Sequence, residues 1–134
     1  MKVDNVIDNE FARIVYYPEL GIIHHEWKKF CSGSNFQELM LTSTNYLKEH
    51  NGTKWLSDDS NFSVMAQEDK KWGQEIWWPK TKNAGWKYWA IVLPEKVIGK
   101  LSIKALIDEY SKGGITAQVF DNTNQALKWL ESQK

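Results

Sequence analysis

Cysteine and arginine are almost missing from this chain of 134 residues, and proline is scarce at three. The lone cysteine, Cys31, excludes an internal disulfide framework and a thiolate zinc cage, and it fits a reducing compartment. Arg13 is the sole arginine among 17 basic side chains. Because arginine is the residue suited to bidentate phosphate and base contacts, its scarcity speaks against specific nucleic-acid readout. Long apolar runs are also lacking. The longest, Tyr88–Leu93, is far too short to span a bilayer. Met1-Lys2-Val3-Asp4 shows no basic region leading into an apolar core, so no signal peptide is read there and the expected compartment is the cytoplasm.

What is present is ordinary globular material with one exception. Apolar residues make up 42% and charged residues 25%, which excludes a disordered tail and fits one domain. The exception is eight tryptophans. The 17 acidic and 17 basic groups cancel, but unevenly. Residues 70–104 hold eight lysines against Glu75 and Glu95, a local charge of +6 within an acidic remainder. Such a segment attracts an acidic partner or is simply the solvated face of a helix.

The pattern alternates strands and helices. Residues 1–10 read as a flexible lead-in, and 11–134 as a single domain. Phe11–Tyr17 and Ile22–Phe30 form a hairpin around the turn residues Pro18-Glu19-Leu20-Gly21. Ser34 and Gln37 make a capping-box pattern opening a helix that ends at Asn51-Gly52. Lys54–Asp58 is a short strand. From about Gln67 a helix buries Trp72 and Ile76 on one face and meets Pro79, where a kink or stop is expected. Trp86–Leu93 reads as a central strand. Ser102 caps the next helix, which Gly113-Gly114 ends. Ile115–Phe120 is the last strand, and Asn122 with Gln125 opens the last helix. The order β-β-α-β-α-β-α-β-α predicts an α/β domain with a mixed, mostly parallel five-stranded sheet and one antiparallel hairpin at its start.

Several chemical sites are weighed on their residues. His24 and His25 are adjacent in a strand, so they face opposite sides and cannot chelate one metal together. Cys31 precedes a helix start, but Gln37 stands where a cysteine phosphatase needs arginine. Gly99-Lys100 is no phosphate loop, since Leu101 replaces the hydroxyl residue. Asp58 and Asp59 close a strand at the end where open α/β sheets bind ligands. They offer an acid–base pair, or they hold the loop and cap the next helix, and the structural role is preferred. Trp72, Trp77, Trp78, Trp86 and Trp89 crowd into 18 residues. Trp77 and Trp78 lie about 100° apart on an α-helix, and Trp86 and Trp89 have opposite strand parity. Some of these rings are core, and at least one or two should be partly exposed near Lys80 and Lys82; the group reads as core alone, as a homodimer or partner interface, or as a small apolar-ligand pocket. No cofactor and no metal set is read from the residues.

Further features carry a resemblance: Tyr16-Tyr17-Pro18-Glu19-Leu20, Trp27, Trp55-Leu56-Ser57-Asp58, Glu68-Asp69-Lys70-Lys71-Trp72, Trp77-Trp78-Pro79, Ala90-Ile91-Val92-Leu93-Pro94 and Ala126-Leu127-Lys128-Trp129-Leu130. In this order they resemble the SpoIIAA-like (STAS) fold group and small bacterial proteins within it. The resemblance implies a non-enzymatic regulatory module that works by protein–protein contact, some members exchanging phosphorylation signals with kinase-like partners. The place matching the group's phosphorylated serine is Ala66–Glu68, which has no hydroxyl, leaving Ser57, Ser60 and Ser63 as other acceptors. The expectation is thus a regulatory binding module with a protein partner or as a homodimer, meeting its partner through Asp58, Asp59, Ser60, Trp72, Trp77 and Trp78. The alternative is a binder of a small apolar or lipid-like ligand; the third is an enzyme using Asp58 and Asp59.

Overall fold

The computed structural model describes residues 2–134. Six strands form one sheet in strictly sequential order: β1 (Asp4–Asp8), β2 (Ala12–Tyr17), β3 (Ile22–Trp27), β4 (Lys54–Asp58), β5 (Tyr88–Val92) and β6 (Thr116–Phe120). The first three are antiparallel, and β3 to β6 are parallel. The sheet therefore has six strands, not the expected five, and the expected lead-in contains β1. A register shift between Asn5 and Ile7 breaks the period-two alternation by which a strand is recognised, and acidic residues close both ends of this edge strand.

The parallel strands are joined by α1 (Gly33–Glu49), by a continuous helical segment, and by α4 (Val97–Lys112). The middle segment comprises α2 (Gln67–Trp72), a π-helical turn (Gly73–Trp77) and α3 (Trp78–Asn83). Right-handed crossovers stepping always to the next strand place all three connections on one face of the sheet. There they bury Ile14, Tyr16, Ile23, Trp55, Trp89 and Ile91 of the strands against Phe36, Leu39, Leu47, Trp77, Ile103 and Tyr110 of the helices. The opposite face carries Val15, Ile22, Leu56, Ala90 and Val92 under α5 (Thr123–Ser132), which contributes Ala126 and Leu130. α5 starts as expected: the Asn122 side chain accepts from the Gln125 backbone N–H at 2.9 Å.

Three helix expectations are corrected. Ser32 occupies the N-cap of α1 with no side-chain bond, so there is no capping box at Ser34 and Gln37. Instead the Gly33 N–H is bound from α2 by the buried Asp69 carboxylate, at 3.0 and 3.2 Å. Ser102 lies inside α4, which already begins at Val97. Val97, Ile98 and Leu101 are 70%, 65% and 63% exposed, so the apolar period of its first turns does not mark a buried face. Pro79 does not stop its helix; the irregularity expected there takes the form of a π turn. Pro79 has no N–H for the Glu75 carbonyl, and the π turn just before it absorbs the mismatch. That turn also shifts the helical phase by one residue. Trp72 therefore shares the inner side with Trp77, while Ile76, expected inside, is 51% exposed.

On the α5 face, the Tyr17 hydroxyl and His24 Nδ1 lie 2.9 Å apart. Burial holds the His24 imidazole down at about 4, with the neighbouring His25 adding to the effect. The folded protein thus resists a proton that the unfolded chain accepts below its ordinary value of 6.5. Stability from this group is complete above that value and is lost as pH falls through about 4, roughly 3 kcal/mol in all. We expect urea midpoints measured across this window to fall with acidity, and the fall to flatten in His24→Gln. An equal slope in the variant would remove His24 as the cause.

Ala66 is the uncapped N-cap of α2. Ala66→Ser should raise stability by about 0.5–2 kcal/mol in the same assay. An unchanged or lower midpoint would count against a usable cap at this helix start.

Candidate functional site

A cavity of about 60 Å³ lies between the sheet and the crossover helices. Six of the eight tryptophans line it: Trp27, Trp55, Trp72, Trp77, Trp86 and Trp89. Phe36, Phe62 and Tyr110 complete the aromatic wall, and Met65, Lys70, Gly73 and Leu106 stand where it reaches the surface. The rings brace one another. Trp77 contacts Trp55 and Trp86 at centroid distances of 5.6 Å each, and Trp27 stacks on Phe36 at 5.6 Å. Burial keeps the Tyr110 phenol protonated by pushing its pKa up.

The polar floor of the cavity is one directed chain of hydrogen bonds. Parallel pairing of β3 with β4 sets His25 beside Ser57, and pairing of β4 with β5 sets Trp55 beside Trp89. The Trp55 indole N–H donates to His25 Nδ1 at 2.8 Å. An indole is a donor only, so the network assigns a lone pair to Nδ1 and the ring proton to Nε2. His25 Nε2 then donates to Asp59 Oδ1 at 3.2 Å, and the Ser57 hydroxyl donates to Asp59 Oδ2 at 3.0 Å. The Trp89 indole N–H donates to Ser57 Oγ at 2.8 Å. Every proton in the chain has one place to go.

This order is not a nucleophile relay. Such a relay needs the serine to give its proton to the histidine, whereas here both donate to the carboxylate between them. Nor do Asp58 and Asp59 form an acid–base pair. Asp58 belongs to the α5 face and accepts from the Ser60 backbone N–H at 3.1 Å and from the Ser60 hydroxyl, while Asp59 turns to the cavity. Ser60 is thereby a loop-holding residue.

Of the tryptophans expected to form the site, Trp72 and Trp77 line the cavity and Trp78 does not. Half-buried Trp78 stacks on Tyr110 at 4.4 Å, with Lys82 Nζ 5.7 Å from its ring centre. Trp86 and Trp89 face the same cavity despite their opposite parity, because β5 begins only at Tyr88 and Trp86 lies in the preceding turn. Burial and the Asp69 carboxylate both push the Cys31 thiol up, against any thiolate role. Sequence reasoning named Ser57 only as a phosphate acceptor, weighed His25 only as a metal ligand and gave Trp55 no site role, since strand register alone brings the three together.

Among the described residues, two buried side-chain polar atoms lack a partner: His24 Nε2 and Trp77 Nε1. The second belongs to a residue that lines the cavity. No described cluster of His, Cys, Asp and Glu is placed to hold a metal ion, and no described helix is long and apolar enough to cross a membrane. Comparison with protein-family models, curated proteins and solved structures gives no match.

Trp55 and Trp77 are both buried, but only Trp55 has a bond to lose. Trp55→Phe leaves His25 Nδ1 unpartnered and should cost about 1–3 kcal/mol more than Trp77→Phe in chemical denaturation. Equal losses would show that the floor contributes nothing beyond packing.

Proposed function

We propose that this domain is a non-enzymatic binding module whose ligand is a small molecule held in the aromatic cavity. The observation that carries this reading is the cavity itself, a space of about 60 Å³ kept open among six tryptophans with the Asp59 carboxylate at its floor. Trp77, a wall residue 5% exposed, also holds an indole N–H with no acceptor among the described residues. An unmade bond to a buried donor costs about 1–3 kcal/mol, so this wall is not packed for stability alone. Gly73 supports it. A glycine inside a helix costs about 0.5–1 kcal/mol relative to alanine. Here its backbone is ordinary right-handed helix with φ −59°, and a Cβ would meet nothing within 4 Å. Gly73 itself lines the cavity. A π turn next to such a space is also a frequent companion of functional sites.

A second reading, regulatory contact with a protein partner, follows from the resemblance to SpoIIAA-like domains. One observation favours it: Val97, Ile98 and Leu101 present an exposed apolar strip at the start of α4.

Gly73→Leu tests the first reading. The backbone accepts the side chain, so the variant should fold with an unchanged or higher midpoint while the side chain occupies the cavity mouth. A library of small organic fragments, followed by tryptophan emission and saturation-transfer NMR, should yield ligands for the natural chain that Gly73→Leu no longer binds. Fragments that bind both proteins alike, or none that bind the natural chain, would sink the cavity as a ligand site.

A further inference from the structure

The Asp59 carboxylate is 3% exposed and faces a cavity walled by indole rings. Its two bonds come from the neutral donors His25 and Ser57, and each oxygen keeps a free lone pair. His25 supplies no counter-charge, because a second ring proton on Nδ1 would point at the Trp55 N–H. No Lys or Arg forms an ion pair with Asp59 among the described residues. Lys70 lines the cavity from its exposed mouth and pairs with no carboxylate among the described residues. A buried carboxylate without a cation is costly, and tryptophan rings are the side chains that best receive a cation from outside.

We infer that the cavity takes a short organic amine in its ammonium form, with Asp59 as its counter-ion and tryptophans as its walls. The inference rests on reading the cavity as a ligand site and adds the charge of the ligand. The ammonium N–H groups donate to the free lone pairs of Asp59. The size sets the class. A space of about 60 Å³ is well below the roughly 150 Å³ of a cavity that takes benzene, so the ligand is a small one. Amino alcohols and short primary amines fit; trimethylammonium groups and aromatic amines do not.

The test is a calorimetric and fluorescence titration of the full chain with ethanolammonium chloride and, at equal ionic strength, with neutral propan-1-ol of the same size. Probes this small bind weakly by nature, so titrations extend to about 50 mM. The natural chain should prefer the ammonium probe at least about ten-fold, by charge-assisted hydrogen bonding and the aromatic wall. Asp59→Asn should abolish that preference. Lys70→Gln, at an exposed position that cannot unfold the protein by losing a buried partner, should strengthen ammonium binding by removing a like charge at the mouth. Gly73→Leu should bind neither probe. If propan-1-ol binds as well as ethanolammonium, or if Lys70→Gln weakens ammonium binding, the cationic ligand is wrong and the cavity reading survives. If the natural chain binds neither probe but takes up other fragments that Gly73→Leu excludes, the amine class alone falls. If nothing binds, both fall together.

Discussion

The cavity floor depends on one carboxylate. Asp59 follows β4, yet through His25 and Ser57 it gathers side chains from β3 and β4, and through Ser57 it reaches Trp89 on β5. Two indoles terminate the chain, and because indoles only donate, the direction of every bond between them is settled. Each such bond contributes only about 0.5–1.5 kcal/mol net, but an orphaned buried partner costs more than a made one returns. The network therefore discriminates between arrangements more than it stabilises any of them. A one-residue slip of β4 against β3 would turn Ser57 to the α5 face and leave Asp59 without its donor. Register, floor and cavity are thus fixed together.

The wall depends on a backbone irregularity. In a regular α-helix, Trp72 and Ile76 would share a face and Trp77 would turn away from it. The π turn over Gly73–Trp77 adds a residue to the period, bringing Trp77 inward and turning Ile76 out. Pro79 makes the turn intelligible, since the segment before it has a carbonyl that no N–H can satisfy in α register. Interiors normally pack as densely as organic crystals. The space that persists here is lined by a glycine, an irregular turn and six indoles, and the proposed ligand site rests on it.

Much of this architecture was legible in the sequence, and what was not has physical reasons. The hairpin turn, the parallel strands and the Asn122 cap follow from local chemistry and appear where the pattern puts them. β1 escaped because its bulge destroys alternation, and the start of α4 escaped because its first apolar residues face outward. Asp59 was legible as a candidate from its place at a strand end. Its separation from Asp58 was not, since the turn after β4 decides which way each carboxylate points. His25 was legible only as a strand histidine: its partners lie 30 and 34 residues away in sequence, and register alone unites them. The indole count was a sound signal: Trp72 and Trp78 are partly exposed, and Trp78 lies beside Lys82. Most of the rings gather around an internal space, and helical spacing misplaced Trp77 because a π turn cannot be read from residue identities.

The sequential strand order explains why the site sits beneath helices. Ligand crevices of open α/β sheets form where strand order reverses and successive helices go to opposite faces. Here the order never reverses, so all three crossovers crowd one face and any internal space must open between them. The two faces also meet their unpartnered polar atoms differently. On the α5 face, His24 has two tautomers and a Tyr17 hydroxyl that either donates or accepts, so the ring is free to turn a bare lone pair, rather than an N–H, to its apolar side. Trp77 has no such freedom. An indole keeps its proton at any pH a folded protein meets, and its donor needs an acceptor. Of the two orphaned atoms, only the indole N–H cannot be relieved by a change of tautomer.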